Sequence, residues 1–270
     1  MSPRTGDGAP RRRGGGRGAP RSRTGSRAFH EDGPIVVGGR RAALEAVRAG
    51  AAIRVFLADG ARTTPGLREL LDACTDAGVP TETLDRERLD LLTHDHRGVV
   101  AKVRVPAPVG EQELSRRAFA DDALVVVLDG IEDPQNLGTA ARTAEAAGAS
   151  MLVTRRARAA DVTAAAVRAS AGALLHLPHA RVANLARALE RLRDNGFTVV
   201  GLDEHAPTSV HEARREGRVA IVLGAEGEGL SRLVRDHCDE LVALPMRGHV
   251  GSLNASAALA AVLYAYALRP

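Results

Sequence analysis

Residues 241–266, LVALPMRGHVGSLNASAALAAVLYAY, set the fold class of this chain. The apolar run 241–244 stops at Pro245, which has no N–H to give to a sheet ladder and so ends a strand. A glycine-spaced loop follows over 246–251. Ser252, Leu253 and Asn254 then open a run of Ala, Leu and Val without Gly or Pro, a strong helix former for which Ser252 is the expected N-cap. A loop feeding a helix start leaves backbone N–H groups unpaired, and such loops receive an anion or the polar edge of a cofactor. Taken alone, the stretch is read more simply as a capped, buried C-terminal helix.

The same strand, loop and helix succession repeats upstream. Residues 124–128 form a continuous apolar run suited to a buried parallel strand. The runs 151–154, 199–202 and 219–223 add three strands, and 139–147, 161–171, 184–195 and 230–236 are the expected helices. Ligands in open α/β sheets bind outside the carboxyl ends of the strands. Three of those ends carry unusual loops. The first, 129–138, reads DGIEDPQNLG and sets Asn136 before its helix, with Arg142 one and a half turns on and expected at the inward edge. A guanidinium there suits a phosphate, although read singly Arg142 is an ordinary surface arginine. The second, 223–230, reads LGAEGEGL. Its two carboxylates would repel an anion, but its glycines allow close backbone approach of a neutral or cationic ligand, with Glu226 or Glu228 accepting hydrogen bonds. The third is the loop before the final helix. No G-x-G-x-x-G follows the first strand and no Walker A is present, which removes support for nicotinamide or nucleoside-triphosphate chemistry.

Residues 34–105 alternate strands and helices over a span of about minimum domain size. Nothing in them looks catalytic. His94, Asp95 and His96 sit beside Arg97-Gly98 and are expected in a solvated or RNA-facing turn rather than at a metal. Residues 106–120 are polar, contain Pro and are weakly patterned, as expected of a linker. Residues 1–33 carry eight Arg against three acidic residues, +5 of the chain's net +4, so the remainder is close to neutral at −1. Rich in Gly, Pro and Ser, they read as a disordered basic tail, either an RNA-contacting arm or a solubilising extension.

With 270 residues, 44% of them hydrophobic, the chain has ample material for a core. Aromatic residues make up only 2%, which argues against stacking bases on an aromatic platform. Cys74 and Cys238 lack metal-ligand spacing and are expected as ordinary thiols. No run is long enough to cross a bilayer and no secretory signal is legible, so a cytoplasmic protein without membrane or metal is expected.

The three loops together resemble the SpoU (TrmH-like) family of S-adenosylmethionine-dependent RNA ribose 2′-O-methyltransferases, within the SPOUT superfamily. The matching residues are Asp133 to Gly138 with Arg142, Val222 to Gly229, and Leu244-Pro245-Met246 with Gly248 and Ser252-Leu253-Asn254. Their order and spacing agree with the family over 121–270. Residues 34–105 resemble, through Val36 to Gly39 and His96 to Val99, the L30e-like substrate-binding domain of the branch that methylates a guanosine of 23S ribosomal RNA. The resemblance implies a trefoil-knotted α/β methyltransferase domain behind a small L30e-like α/β domain, and a homodimer. It implies S-adenosylmethionine held by Gly224, Leu244, Met246 and Leu253, and Asn136, Arg142, Glu226, Ser252 and Asn254 as catalytic residues. Arg142 is the family's candidate for activating the hydroxyl, but a guanidinium is a very weak proton donor and its free base is costly, which makes a phosphate-gripping and orienting role preferable. Arg247, His249 and Ala255 depart from the family pattern without removing a matched position. A transfer RNA substrate, an antibiotic's ribosomal target, and a non-catalytic RNA-binding relative stay open as alternatives.

Overall fold

A computed structural model describes residues 33–213, 216–249 and 253–267. The elements run β1 (Ile35–Gly38), α1 (Arg40–Arg48), β2 (Ala52–Ala58), α2 (Pro65–Asp76), β3 (Thr81–Leu84), α3 (Arg86–Leu92) and β4 (Val99–Val103). Next come α4 (Glu111–Arg116), β5 (Leu124–Asp129), α5 (Pro134–Ala146), β6 (Met151–Arg155), α6 (Ala164–Ala169), α7 (Ala173–His176) and β7 (His179–Val182). The chain continues with α8 (Leu185–Asp194), β8 (Phe197–Leu202), β9 (Thr208–Ser209), β10 (Arg218–Gly224), α9 (Arg232–Asp236), β11 (Glu240–Ala243) and α10 (Ala255–Ala267).

They build two sheets within one structural unit, an α/β fold. The smaller has the order β1-β4-β2-β3, antiparallel except for the β2–β3 pair. The larger has the order β7-β6-β5-β10-β8-β11-β9, all parallel. Parallel strands covered on both faces read as unbroken apolar runs, and all six residues of β5 are buried. Their alternation splits the core in two. Leu124, Val126 and Leu128 face a layer containing α5, α6 and α10, while Val125 and Val127 face α4, α8 and α9.

Several boundaries differ from the sequence expectation for local reasons. Helix α5 starts at Pro134, not at 139, because the Asp133 carboxylate accepts the Gln135 N–H at 3.1 Å and Pro134 occupies the first helical position, where no N–H is needed. Residues 106–120, expected as a linker, hold α4, which buries Leu114 against α8. The guanidinium of Arg218 also ties this segment to β10, donating to the carbonyls of Phe119 and Ala120 at 2.8 and 2.9 Å. The expected helix 161–171 shortens to α6, and a second short helix, α7, follows beyond it. Strands β7 and β9 were not legible, since four or fewer residues containing His, Arg, Thr or Ser give no apolar run.

His96 is not solvated. It is buried, its Nδ1 accepts the Gly98 N–H at 2.8 Å, and its Nε2 lies 2.9 Å from Asp90, so it locks the turn that exposes His94 and Arg97. Among the described residues no helix is long and apolar enough to cross a membrane, and no cluster of His, Cys, Asp and Glu is arranged to hold a metal ion. The expected disordered tail lies outside the described residues apart from Gly33.

Candidate active site

Strands β5 and β10 are neighbours, and their last residues, Asp129 and Gly224, are register partners. The two loops that leave them therefore start side by side. The β10 loop closes on itself through two backbone hydrogen bonds, Ala225 N–H to Gly229 O at 3.0 Å and Gly229 N–H to Ala225 O at 2.9 Å. Glu226, Gly227 and Glu228 form its exposed tip. Across a cleft of about 330 Å³ stand Gly130, Glu132, Asp133 and Asn136. Asn136, half-buried in the first turn of α5, donates from Nδ2 to Glu226 at 3.5 Å across that cleft. Two of the expected catalytic residues thus meet, although ninety positions separate them.

Beneath the cleft lies a polar tie that the sequence reading did not identify. The Asp129 carboxylate is only 3% exposed, pairs with Arg155 at 2.8 Å and accepts the Ser231 N–H at 2.8 Å. Arg155 also donates to the Ser231 hydroxyl at 3.2 Å. A buried carboxylate is tolerable only when paired and hydrogen-bonded in this way. The tie fixes the ends of β5 and β6 and the exit of the β10 loop relative to one another. The one signal in the sequence was an acidic residue closing an otherwise apolar strand.

Gly224 is required, but by its own loop. A Cβ there would lie 2.1 Å from the carbonyl carbon of Gly229 and 2.4 Å from the nitrogen of Leu230, positions no real side chain occupies. Gly138 has the same role between helices, since a Cβ there would lie 2.5 Å from the Ala166 carbonyl oxygen in α6.

Arg142 does not lie at the inward edge. The buried face of α5 is Leu137, Gly138, Ala140, Ala141 and Ala144, and Arg142 is exposed. Six residues on from Asn136, it is about 9 Å further along the axis and about 240° around it. Among the described residues its guanidinium has no hydrogen bond or ion pair, so its charge is available to a ligand.

The third loop runs from β11 to α10. Leu244 is half-buried, while Pro245, Met246, Arg247, Gly248 and His249 are exposed. Ser252, the expected N-cap and a candidate catalytic residue, lies outside the described residues. The cap is made by Asn254, whose Oδ1 accepts the Ser256 N–H at 3.0 Å and whose carbonyl accepts the Ala258 N–H at 2.9 Å. Met246 and Leu253 are 40% and 47% exposed, an unusual state for large apolar side chains. Such exposed apolar side chains suit a ligand with an apolar ring.

Comparison with known proteins agrees with this geometry. Residues 123–264 match the SpoU rRNA Methylase family, and residues 36–109 match the RNA 2′-O ribose methyltransferase substrate-binding family. A TrmH family tRNA/rRNA methyltransferase homologue of Staphylococcus aureus (strain COL) is 37% identical over 235 residues, covering 85% of this chain and 94% of the relative. The 23S rRNA (guanosine-2′-O-)-methyltransferase RlmB of a Burkholderia species is 39% identical over 208 residues, 76% of this chain and 84% of its own. Among solved structures, the SpoU methyltransferase AviRb of Streptomyces viridochromogenes in complex with S-adenosylmethionine superposes with a TM-score of 0.72 at 30% identity, covering 87% of this chain and 90% of that one. A family match over more than half the chain, two relatives above 30% identity and the meeting of Asn136 with Glu226 lead to one conclusion: the chain belongs to the SpoU family and is an S-adenosylmethionine-dependent RNA 2′-O-methyltransferase.

Proposed function

We propose that this enzyme methylates the ribose 2′-hydroxyl of a guanosine in 23S ribosomal RNA in the cytoplasm. The RlmB relative, at 39% identity, supports that target over transfer RNA or an antibiotic's ribosomal site. The observation that carries the active-site assignment is the approach of Asn136 to Glu226 at the carboxyl ends of β5 and β10. In this reading Gly224, Leu244, Met246 and Leu253 hold S-adenosylmethionine. The exposed Met246 and Leu253 would supply its apolar contacts, and backbone groups at the end of β10 and along 244–249 would supply its polar ones. Bound there, the cofactor supplies an electrophilic methyl group on a positively charged sulfur.

The chain's own residues then position the acceptor. Arg142, exposed and without a partner among the described residues, grips a phosphate next to the target ribose and orients the 2′-hydroxyl. Asn136, Glu226, Ser252 and Asn254 hold the ribose, while Arg142, on another face of α5, reaches the phosphate from outside the Asn136–Glu226 cleft. Holding two reactants in line in this way is worth several orders of magnitude in rate.

The remaining architecture follows the same reading. Residues 34–105 are an L30e-like RNA-binding domain, 106–120 join it to the methyltransferase domain 121–270, and the basic tail 1–33 adds phosphate affinity. Helix α10 follows β11 yet packs on α5 and β10, on the other side of β8, which supports a trefoil knot. Helix α10 bears no charged residue, and its exposed positions Ala257, Ala261, Tyr264 and Ala267 form a stripe at helical spacing. Such an unpartnered apolar stripe supports a homodimer built on α10.

Mapping 2′-O-methyl groups in ribosomal and transfer RNA from a strain lacking the protein tests the target. The proposal requires one 23S guanosine to lose its methyl group, and loss confined to a transfer RNA would replace it.

A further inference from the structure

The loop after β6 reads Arg155-Arg156-Ala157-Arg158, and its three arginines have different situations. Arg155 turns inward to Asp129. Arg156 and Arg158 are exposed, and among the described residues neither has a carboxylate partner. Other arginines of the large-sheet region do have one, for example Arg181 with Asp161, Arg193 with Asp239 and Arg235 with Asp203.

Local hydrogen bonds hold Arg156 in place. The Arg156 N–H donates to the Val182 carbonyl at 2.8 Å, its Nε donates to the Arg181 carbonyl at 3.2 Å, and its own carbonyl accepts from the Arg181 guanidinium at 3.1 Å. Arg158 sits at φ +54°, one of three non-glycine residues in the left-handed region among those described. An arginine there costs about 1 kcal/mol or more relative to glycine, which the surrounding bonds must hold. The loop is also tied to the active site, because the Ala160 N–H donates at 2.8 Å to the carbonyl of Ile131, which lines the Asn136–Glu226 cleft.

The rim of that cleft is acidic, with Glu132, Asp133, Glu226 and Glu228, and repels a phosphate. An RNA strand that delivers a ribose there needs compensating charge immediately alongside. We propose that Arg156 and Arg158 are phosphate contacts for the RNA strand flanking the target nucleotide, an inference that rests on the RNA methyl-transfer reading above. A cleft of about 530 Å³ lies beside Arg156, lined by Arg116 but also by Glu111 and Glu113. Those carboxylates place the strand along the rim rather than inside.

The test uses the full chain, a labelled fragment of 23S ribosomal RNA and a salt titration. Each phosphate contact contributes about 0.7 to 0.9 to the slope of log affinity against log salt. The double variant Arg156→Gln/Arg158→Gly should therefore flatten the slope by about 1.5, with S-adenosylmethionine affinity unchanged. Lysine at both positions should restore the slope, because charge sets it. Arg158→Gly alone should fold with an unchanged or higher Tm while losing about one contact's worth of slope, since glycine adopts positive φ without strain. A native slope in the double variant overturns the inference, and so does unfolding of Arg158→Gly, which would make Arg158 a structural residue. If the native chain methylates RNA, that failure leaves the proposed function standing. A native chain that transfers no methyl group to RNA removes the proposed function whatever the slopes show.

Discussion

Replacing Gly224 by alanine tests how the active-site loop is built. The new Cβ would sit 2.1 Å from Gly229 C, 2.2 Å from Gly229 O and 2.4 Å from Leu230 N, all backbone atoms that no rotamer change can move aside. The loop must retreat by an ångström or more. The two bonds that close it, between Ala225 and Gly229 at 3.0 and 2.9 Å, then break. Two backbone hydrogen bonds are worth about 1 kcal/mol each net, and overpacking adds about 1–3 kcal/mol, for a loss of about 3–5 kcal/mol. For a chain of this size about 2–4 °C accompanies each kcal/mol, so Tm should fall by about 10 °C. Cofactor affinity, measured by calorimetry below the melting transition, should fall as well, because Glu226 and the end of β10 move together. Loss of cofactor binding in Gly224→Val or Gly224→Ala is therefore no proof of direct contact with the ligand. Gly227 provides the control. It has φ +81° with nothing within 4 Å of a Cβ, so Gly227→Ala should cost only about 1 kcal/mol. A Gly224→Ala protein melting within about 2 °C of the native one would refute this account of the loop.

Asp129→Asn should destabilise the fold by about 1–3 kcal/mol, read as a lower urea midpoint, because Arg155 loses its carboxylate while its side chain stays only 30% exposed; an unchanged midpoint would remove the polar tie from the account. Burial foremost, then the charges of Asp239 and Asp129, push the Cys238 thiol up to about 12, leaving about one thiolate in ten thousand at pH 8. Ellman's reagent should label it only at the rate of unfolding, and fast labelling of the native protein at that pH would contradict its placement.

The sequence was most informative where physical periodicity is long or chemistry is dense. β5 and β10 are long apolar runs, and the loops behind them concentrate Gly, Asn and Glu, so the strand ends were legible, while Asn136 and Glu226 were grouped by the family resemblance and their pairing was not anticipated. Legibility failed where tertiary contacts decide. α4 was invisible in 106–120 because one buried leucine, Leu114, and an arginine staple from Arg218 hold it in place. The start of α5 was misplaced because the Asp133 cap and Pro134 were taken as loop residues. Arg142 was expected to face inward, but a helical wheel counted from a wrong start misplaces the buried face, which the alanines of α5 define. The Asp129–Arg155–Ser231 tie joins residues up to 102 positions apart, a pairing no local pattern announces.

The central claim is that this chain moves a methyl group from S-adenosylmethionine to an RNA ribose with Arg142 orienting the acceptor. Arg142→Ala tests it in a single-turnover transfer assay on ribosomal RNA fragments, with cofactor affinity measured in parallel. Arg142 is exposed and outside both the β10 loop and the loop between β11 and α10, so cofactor affinity should stay native. Transfer should fall on the order of a hundredfold or more, and Arg142→Lys should recover little of it, because an ammonium keeps the charge without the two-pronged grip. Near-native transfer by Arg142→Ala would contradict the assignment, and an equal loss of cofactor affinity would make Arg142 a structural residue of α5.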